Sequence, residues 1–182
     1  NNTLVRSYVW GLDLAGTMDG AGGVGGLLWL TLHTGSGPAA GTHFAAYDGN
    51  GNIVALSAAS DGSETARYEY GPFGEPIRLT VPAAGLNPFR FSTKRTCNTS
   101  DLVLYEYRAY SPSTGRWLNR DPLGEPGFEV LRGVTNASDD DLFAEDAPNL
   151  YTYVRNDSGN KCDPVGLAVG IPPGQGISIP SG

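Results

Sequence analysis

Helical periodicity is almost absent from this sequence. Hardly a window places apolar residues at helical spacing over three turns, which excludes a helix-rich enzyme. Basic residues are scarce as well: 12 Lys and Arg stand against 19 Asp and Glu, a net charge of −7. The summed field would attract neither nucleic acid nor an anionic membrane. The weakly charged run Ala21 to Thr34 is too short and too rich in glycine to span a bilayer as a helix. A soluble protein with no membrane span is therefore expected. Two cysteines, Cys97 and Cys162, fit neither a disulfide framework nor a four-ligand zinc site. They can pair with each other in an oxidising compartment or remain two separate buried thiols. His33 and His43 lie far in sequence from any cysteine or acidic cluster, so strand-edge or hydrogen-bonding roles are expected for them, and neither metal nor cofactor is. Asn1-Asn2-Thr3 has no initiator Met, basic segment or apolar run, and the chain is expected to be a fragment.

What is present in quantity is punctuation. Gly (26) and Pro (13) together exceed a fifth of the 182 residues. Aromatic and β-branched residues fall in short runs between them, the pattern of short strands joined by tight turns. A strand is expected over Thr3 to Gly11, and the glycine-rich GAGGVGG (Gly20 to Gly26) then bends into an apolar strand, Leu27 to Leu32. Those glycines read as structural, because no helix and no Lys-Ser/Thr ending follows to make a phosphate cradle. His43 to Leu56 reads as two strands around Asp48-Gly49-Asn50-Gly51, residues that tolerate positive φ and signal a hairpin. Glu64 to Tyr70, a Gly-Pro-Phe-Gly-Glu-Pro turn and Ile77 to Thr80 repeat the scheme. Such repetition marks an elongating sheet whose units bury a face only against neighbours. Beyond Pro82 to Pro88 the character changes. Tyrosines alternate with polar residues over Leu102 to Tyr110, which predicts a half-buried strand; the turn Ser111 to Gly115 and a short Arg116-Trp117-Leu118 run follow.

Two Asp-Pro-x-Gly segments stand out, Asp121-Pro122-Leu123-Gly124 after Arg120 and Asp163-Pro164-Val165-Gly166 before Leu167. Taken singly each is an ordinary turn, since Asp-Pro opens turns and Gly accepts positive φ. Taken with their surroundings they belong to a larger resemblance. Tyr47-Asp48-x-x-Gly51-Asn52-Ile53 and Tyr68-x-Tyr70-x-x-Phe73-Gly74-Glu75-Pro76 resemble the YD repeats of the RHS (rearrangement hotspot) and toxin-complex C-subunit superfamily. Tyr105-x-Tyr107-Arg108-x-Tyr110-x-Pro112-x-x-Gly115-Arg116-Trp117-Leu118-x-Arg120-Asp121-Pro122-Leu123-Gly124, with Asn149-Leu150-Tyr151-x-Tyr153-Val154-x-Asn156 and Asp163-Pro164-Val165-Gly166-Leu167, resembles the RHS repeat-associated core domain.

The resemblance implies an all-β protein, a YD-repeat β-hairpin spiral forming part of a cocoon-type shell and ending in the core domain. It divides the chain into the end of the shell at 1–85, the core at 86–167 and a short flexible tail at 168–182. It implies that the shell encloses a C-terminal polypeptide and that the core cuts its own chain after Asp-Pro-x-Gly-Leu. The carboxylates would be Asp121 and Asp163, the adjacent arginine Arg120, and the cut would fall between Leu167 and Ala168. Expected partners are the chain's own C-terminal segment or a linked toxin and the upstream shell, in a secreted or cell-surface bacterial protein. Two close carboxylates cannot both ionise cheaply, so one proton is expected to be shared: one group activates water while the other donates to the scissile carbonyl.

Asp121 and Asp163 are 42 positions apart (163 minus 121), more than the family pattern provides. The excess lies in Glu125 to Pro148 and includes an acidic run from Ser138 to Asp146, expected as a surface loop or short helix capped by Ser138. A calcium loop is the alternative, although the EF-hand spacing, glycine and terminal Glu are missing. The 15-residue tail holds no toxin domain. Two other functions stay open at this point. One is a non-catalytic β-scaffold in which the Asp-Pro turns only close the shell, and the other is a carbohydrate-binding surface that uses exposed aromatics among Trp10, Trp29, Trp117 and the tyrosines.

Overall fold

The computed structural model describes residues 3–80, 82–122, 149–158, 161, 163 and 166–167. Cys162, the acidic segment 125–148, Ala168 and the tail to Gly182 lie outside the described residues. Within them the chain is all-β, as expected. Six strands, β1 (Arg6–Trp10), β2 (Leu27–Leu32), β3 (Gly41–Tyr47), β4 (Ile53–Ala58), β5 (Glu64–Tyr70) and β6 (Pro76–Leu79), pair antiparallel in chain order. Four shorter strands, β7 (Arg95–Thr96), β8 (Val103–Leu104), β9 (Ala109–Ser111) and β10 (Arg116–Trp117), form a second antiparallel sheet. Among the described residues no helix is long and apolar enough to cross a membrane.

The three hairpins of the first sheet share one construction. Each outgoing strand carries an irregularity just before its last aromatic residue, between Val9 and Trp10, Ala46 and Tyr47, and Glu69 and Tyr70. The next N–H then closes the turn: Gly11 N donates to Gly26 O at 2.8 Å, Asp48 N to Asn52 O at 3.0 Å and Gly71 N to Glu75 O at 2.8 Å. A bulge here increases local twist and re-aims the aromatic side chain. Tyr47 uses this to donate its hydroxyl to Leu27 O, the first residue of the preceding return strand, and Tyr70 donates to Ile53 O at 2.8 Å in the same relation. The YD-type pattern is therefore a stitch from one hairpin to the one before. Gly51 and Gly74, at φ 74° and 83°, supply the left-handed turn position.

The first hairpin differs in having a long connection in place of a four-residue turn. That connection wraps around the buried Asp13 carboxylate, whose Oδ1 accepts Ala15 N (3.0 Å) and whose Oδ2 accepts Ala21 N (2.6 Å) and Gly23 N (3.3 Å). The inward residues Leu27, Leu30, Leu32, Ile53, Leu56, Ala66 and Tyr68 build one core, and each large aliphatic side chain buried there contributes about 1.5–3 kcal/mol.

A tight segment, Arg90 to Lys94, locks the first two hairpins to the second sheet. Ser92 and Thr93 both sit at φ 51°, a conformation that costs a non-glycine residue about 1 kcal/mol or more. The hydrogen bonds they make offset this cost. The Thr93 hydroxyl accepts Gly25 N (2.8 Å) and donates to Gly51 O (2.7 Å), Ser92 N donates to Asn52 Oδ1 (2.7 Å), and Ile53 N donates to Arg90 O (3.1 Å). The second core is aromatic: Phe91, Tyr105, Tyr110, Trp117 and Tyr153 with Val103 and Val154. Tyr110 and Tyr153 rings lie 4.3 Å apart and Tyr105 and Trp117 rings 4.9 Å apart, the latter edge-on, arrangements that add to simple burial.

One expectation is corrected. Leu102 to Tyr110 is not a single half-buried strand but two strands, β8 and β9, paired Val103 to Tyr110 and Leu104 to Ala109. Tyr105 N donates to Arg108 O at 3.0 Å, leaving Glu106 and Tyr107 as a two-residue loop. Both loop residues are exposed while Tyr105, Arg108 and Tyr110 are buried. A straight strand would have sent Tyr107 inward with Tyr105; reversing the chain lets Tyr105 and Tyr110 share one core and turns Arg108 inward instead.

Candidate active site

The two-residue loop between β8 and β9 turns Arg108 inward, and the guanidinium is used on every side. Nη1 lies 3.0 Å from Asp121 Oδ2 and 3.3 Å from Leu150 O, Nη2 donates to Asp163 Oδ2 at 3.0 Å, and Nε donates to Gly166 O. Its carbon sits 4.0 Å from the Trp117 ring centroid, so one face of the ion is covered by an aromatic plane. All three charged groups are removed from water: side-chain exposure is 2% for Arg108, 11% for Asp121 and 0% for Asp163. Burial lowers the Arg108 pKa from its usual value, and the two carboxylates oppose that shift. A buried ion triad of this kind depends on having all its partners.

Asp163 is engaged through both oxygens. Besides Oδ2 on Arg108, Oδ1 accepts Gly166 N at 2.8 Å and Leu167 N at 3.1 Å. The carboxylate thus folds its own following residues back over itself, the local bonding that makes Asp a turn former. Gly166 is required twice over at this point. Its φ is 81°, and a Cβ there would lie 3.1 Å from Tyr105 Cβ and 3.4 Å from Trp117 Cη2. The Gly166–Leu167 backbone is therefore held from both sides, its N–H groups by Asp163 and its Gly166 carbonyl by Arg108.

The structure brings Asp121, Asp163 and Leu167 into one cluster. Arg120, named for its place beside Asp121, is exposed, and the guanidinium that joins the two aspartates is that of Arg108. Leu118, Asn119 and Arg120 form an exposed run that leads into the buried Asp121. The signal that could have found Arg108 is the loss of phase at Ala109-Tyr110, where Tyr110 falls out of step with Tyr105 and Tyr107. Its interposition also changes the chemistry: an arginine supplies the counter-charge that a proton shared directly between two carboxylates would otherwise supply. Ala168, the other side of the expected cut, lies outside the described residues. Among the described residues no group of three or more His, Cys, Asp or Glu side chains is gathered to hold a metal ion. His43 and His33 make hydrogen bonds to Thr65 Oγ1 (2.8 Å) and Ser7 Oγ (2.9 Å).

No protein-family model and no curated protein matches the chain. Solved structures do. The chain is similar to TcdB2-TccC3-Cdc42 at 26% identity with a TM-score of 0.57, over 78% of this chain and 6% of that one. It matches TcdB2-TccC3 without its hypervariable C-terminal region equally well, at 26% and 0.57 over 76% and 6%. The Tc holotoxin pore of Photorhabdus luminescens shares the fold, at 24% identity and a TM-score of 0.56 over 79% and 6%. The chain thus spans a small part of the toxin-complex chains it resembles.

Proposed function

We propose that this chain is the terminal part of an RHS-type shell that encloses a C-terminal polypeptide, and that its core cuts the chain between Leu167 and Ala168. The observation that carries the reading is that one buried arginine joins Asp121 to Asp163 and, with Asp163, grips the backbone of Gly166 and Leu167. A turn alone needs no second carboxylate brought from 42 residues away. Similarity to TcdB2-TccC3, a protein with a hypervariable C-terminal region, supports a linked variable polypeptide as the released part, and a secreted bacterial protein as its setting. In this reading residues 1–85 close the shell, 86–167 form the core and 168–182 begin the released side.

Asp121 is the carboxylate with some access to water, and it acts as the general base. It takes a proton from a water whose oxygen adds to the Leu167 carbonyl carbon. The C–N bond to Ala168 then breaks, the proton passes to the departing amine, and the products are a Leu167 carboxylic acid and a free Ala168 amine, the acid then giving up its proton to leave carboxylate and ammonium. Asp163 and Arg108 position the Gly166–Leu167 peptide for that attack. Because the bond lies in the same chain, folding supplies the proximity advantage, up to about 7–11 kcal/mol in well-oriented cases. One slow turnover suffices.

The test is intact mass of the purified full chain beside Asp121→Asn and Asp163→Asn. Cleavage predicts a wild-type fragment ending at Leu167 and an uncut Asp121→Asn chain with wild-type circular dichroism. A folded, uncut wild type would overturn the reading and leave the cluster as the closing element of a non-catalytic scaffold.

A further inference from the structure

Lys94 is a charged residue outside the aspartate cluster that is as deeply buried as Arg108. Its exposure is 5%, and it ends the locking segment Arg90 to Lys94. Its ammonium donates to Gly22 O at 2.6 Å and meets both oxygens of Glu106, at 2.8 and 3.0 Å. Gly22 belongs to the glycine-rich connection of the first hairpin, and Glu106 to the two-residue loop that ends at Arg108.

The contact on the glycine side is a built one. Asp13 Oδ2 accepts the N–H groups of Ala21 and Gly23, which flank the Gly22 carbonyl. In a planar trans peptide the N–H of Gly23 and the C=O of Gly22 point in opposite directions. Fixing one on Asp13 therefore aims the other away from it, at Lys94. The connection runs without a gap from Asp13 through Gly22, Lys94 and Glu106 to the loop that carries Arg108.

We infer that Lys94 is a positioning residue for Arg108: by clamping Glu106 to Gly22 it fixes the loop that aims the guanidinium, so the aspartate cluster is assembled only when the glycine-rich connection of the first hairpin is docked. Burial lowers the Lys94 pKa, and Glu106, Asp163 and Asp13 act against that shift, so its charge also faces the cluster. The role rests on the self-cleavage reading for its consequence and gives it an order. The chain is cut after the first sheet has closed on the core and not while the shell is open.

The experiment uses Lys94→Met, which keeps the aliphatic stem, Glu106→Ala and the double variant in the full chain. Refolding from denaturant is followed by tryptophan fluorescence for folding and by intact mass for cleavage. A displaced guanidinium costs on the order of ten- to a hundredfold in rate, as ångström-scale misplacement does elsewhere. The expected result is that loss in both single variants at full folded amplitude, with no further loss in the double. A structural role alone would slow cleavage only in proportion to the unfolded fraction. The Arg108 Nε–H resonance in a nitrogen-proton correlation spectrum is the second readout: sharp in the wild type, broadened in either variant. If Lys94→Met does not fold, Glu106→Ala decides, because that side chain is 45% exposed. Wild-type cleavage rates in both variants with an unchanged resonance overturn the inference and leave the cleavage reading standing. If the wild type is never cut, the cleavage reading fails, and the resonance still tests whether Lys94 positions Arg108.

Discussion

Replacing Arg108 with leucine should be among the most damaging single changes in this chain, and the damage should depend on pH in a stated direction. The substitution leaves two carboxylates in place, one with no solvent exposure and one with 11%. Removing one partner of a buried ion pair costs about 3–5 kcal/mol, because an uncompensated charge stays behind. For a chain of 182 residues that corresponds to a fall in melting temperature of about 6–20 °C. The cost belongs to the ionised form. Without the guanidinium, desolvation raises a buried carboxyl pKa above its unfolded value near 3.9. A group with a raised folded pKa binds more protons folded than unfolded, so the variant regains stability as pH falls from 7 through that raised value. Urea unfolding of wild type and Arg108→Leu at pH 7 and pH 5, with intact mass recorded so that chains of equal length are compared, measures both effects. Arg108→Lys should lose part of the same energy, because one ammonium cannot reproduce a fork that reaches Asp121, Asp163 and Gly166 together. A loss under about 1 kcal/mol in the leucine variant, or one equal at both pH values, would refute the account of the triad.

Two further outcomes follow from the first sheet. His43 is fully buried, and burial lowers its pKa against a smaller opposing effect from the Ala39 backbone. The unfolded state therefore takes up a proton near pH 6.5 more readily than the folded state, and stability should fall as pH drops from about 6.5 towards the lowered folded value, by at most about 1.4 kcal/mol per pH unit; denaturant titrations at pH 7.5, 6.5 and 5.5 measure it, and His43→Gln should flatten the slope. Gly74→Ala places a Cβ 2.5 Å from the Phe91 ring at φ 83°, whereas Gly16→Ala at φ 71° meets nothing within 4 Å. The first should cost clearly more than the second, whose loss is about 1 kcal/mol of backbone strain; equal melting temperatures would sink the packing argument.

The first sheet was legible because its information is local. Asp48-Gly49-Asn50-Gly51 and Gly71-Pro72-Phe73-Gly74 each fix a turn within a few residues, and the strands on either side read by period two. What the repeats do to each other was less legible. That Tyr47 and Tyr70 hydrogen-bond to the preceding hairpin follows from a bulge in front of each, and a bulge is a property of pairing, not of one strand's composition. The strained Ser92-Thr93 pair left no mark in the sequence for the same reason. Its conformation is tolerated because Gly25, Gly51 and Asn52 arrive from two other hairpins.

The aspartate cluster divides along the same line. Asp163, Gly166 and Leu167 make a local turn, so the segment announces itself, whereas the guanidinium that serves it comes from 55 residues upstream. Sequence adjacency favoured Arg120, which ends the exposed run Leu118 to Arg120 that leads into the buried Asp121. Arg108 was reachable only by noticing that Tyr110 falls out of step with the Tyr105/Tyr107 alternation, which fits a reversal before it, and that a reversal placed among buried tyrosines carries a charge inward. A buried arginine is tolerated only where carboxylates or carbonyls meet it. The inward charge therefore implies acidic partners, and the two Asp-Pro aspartates are the ones that the fold supplies.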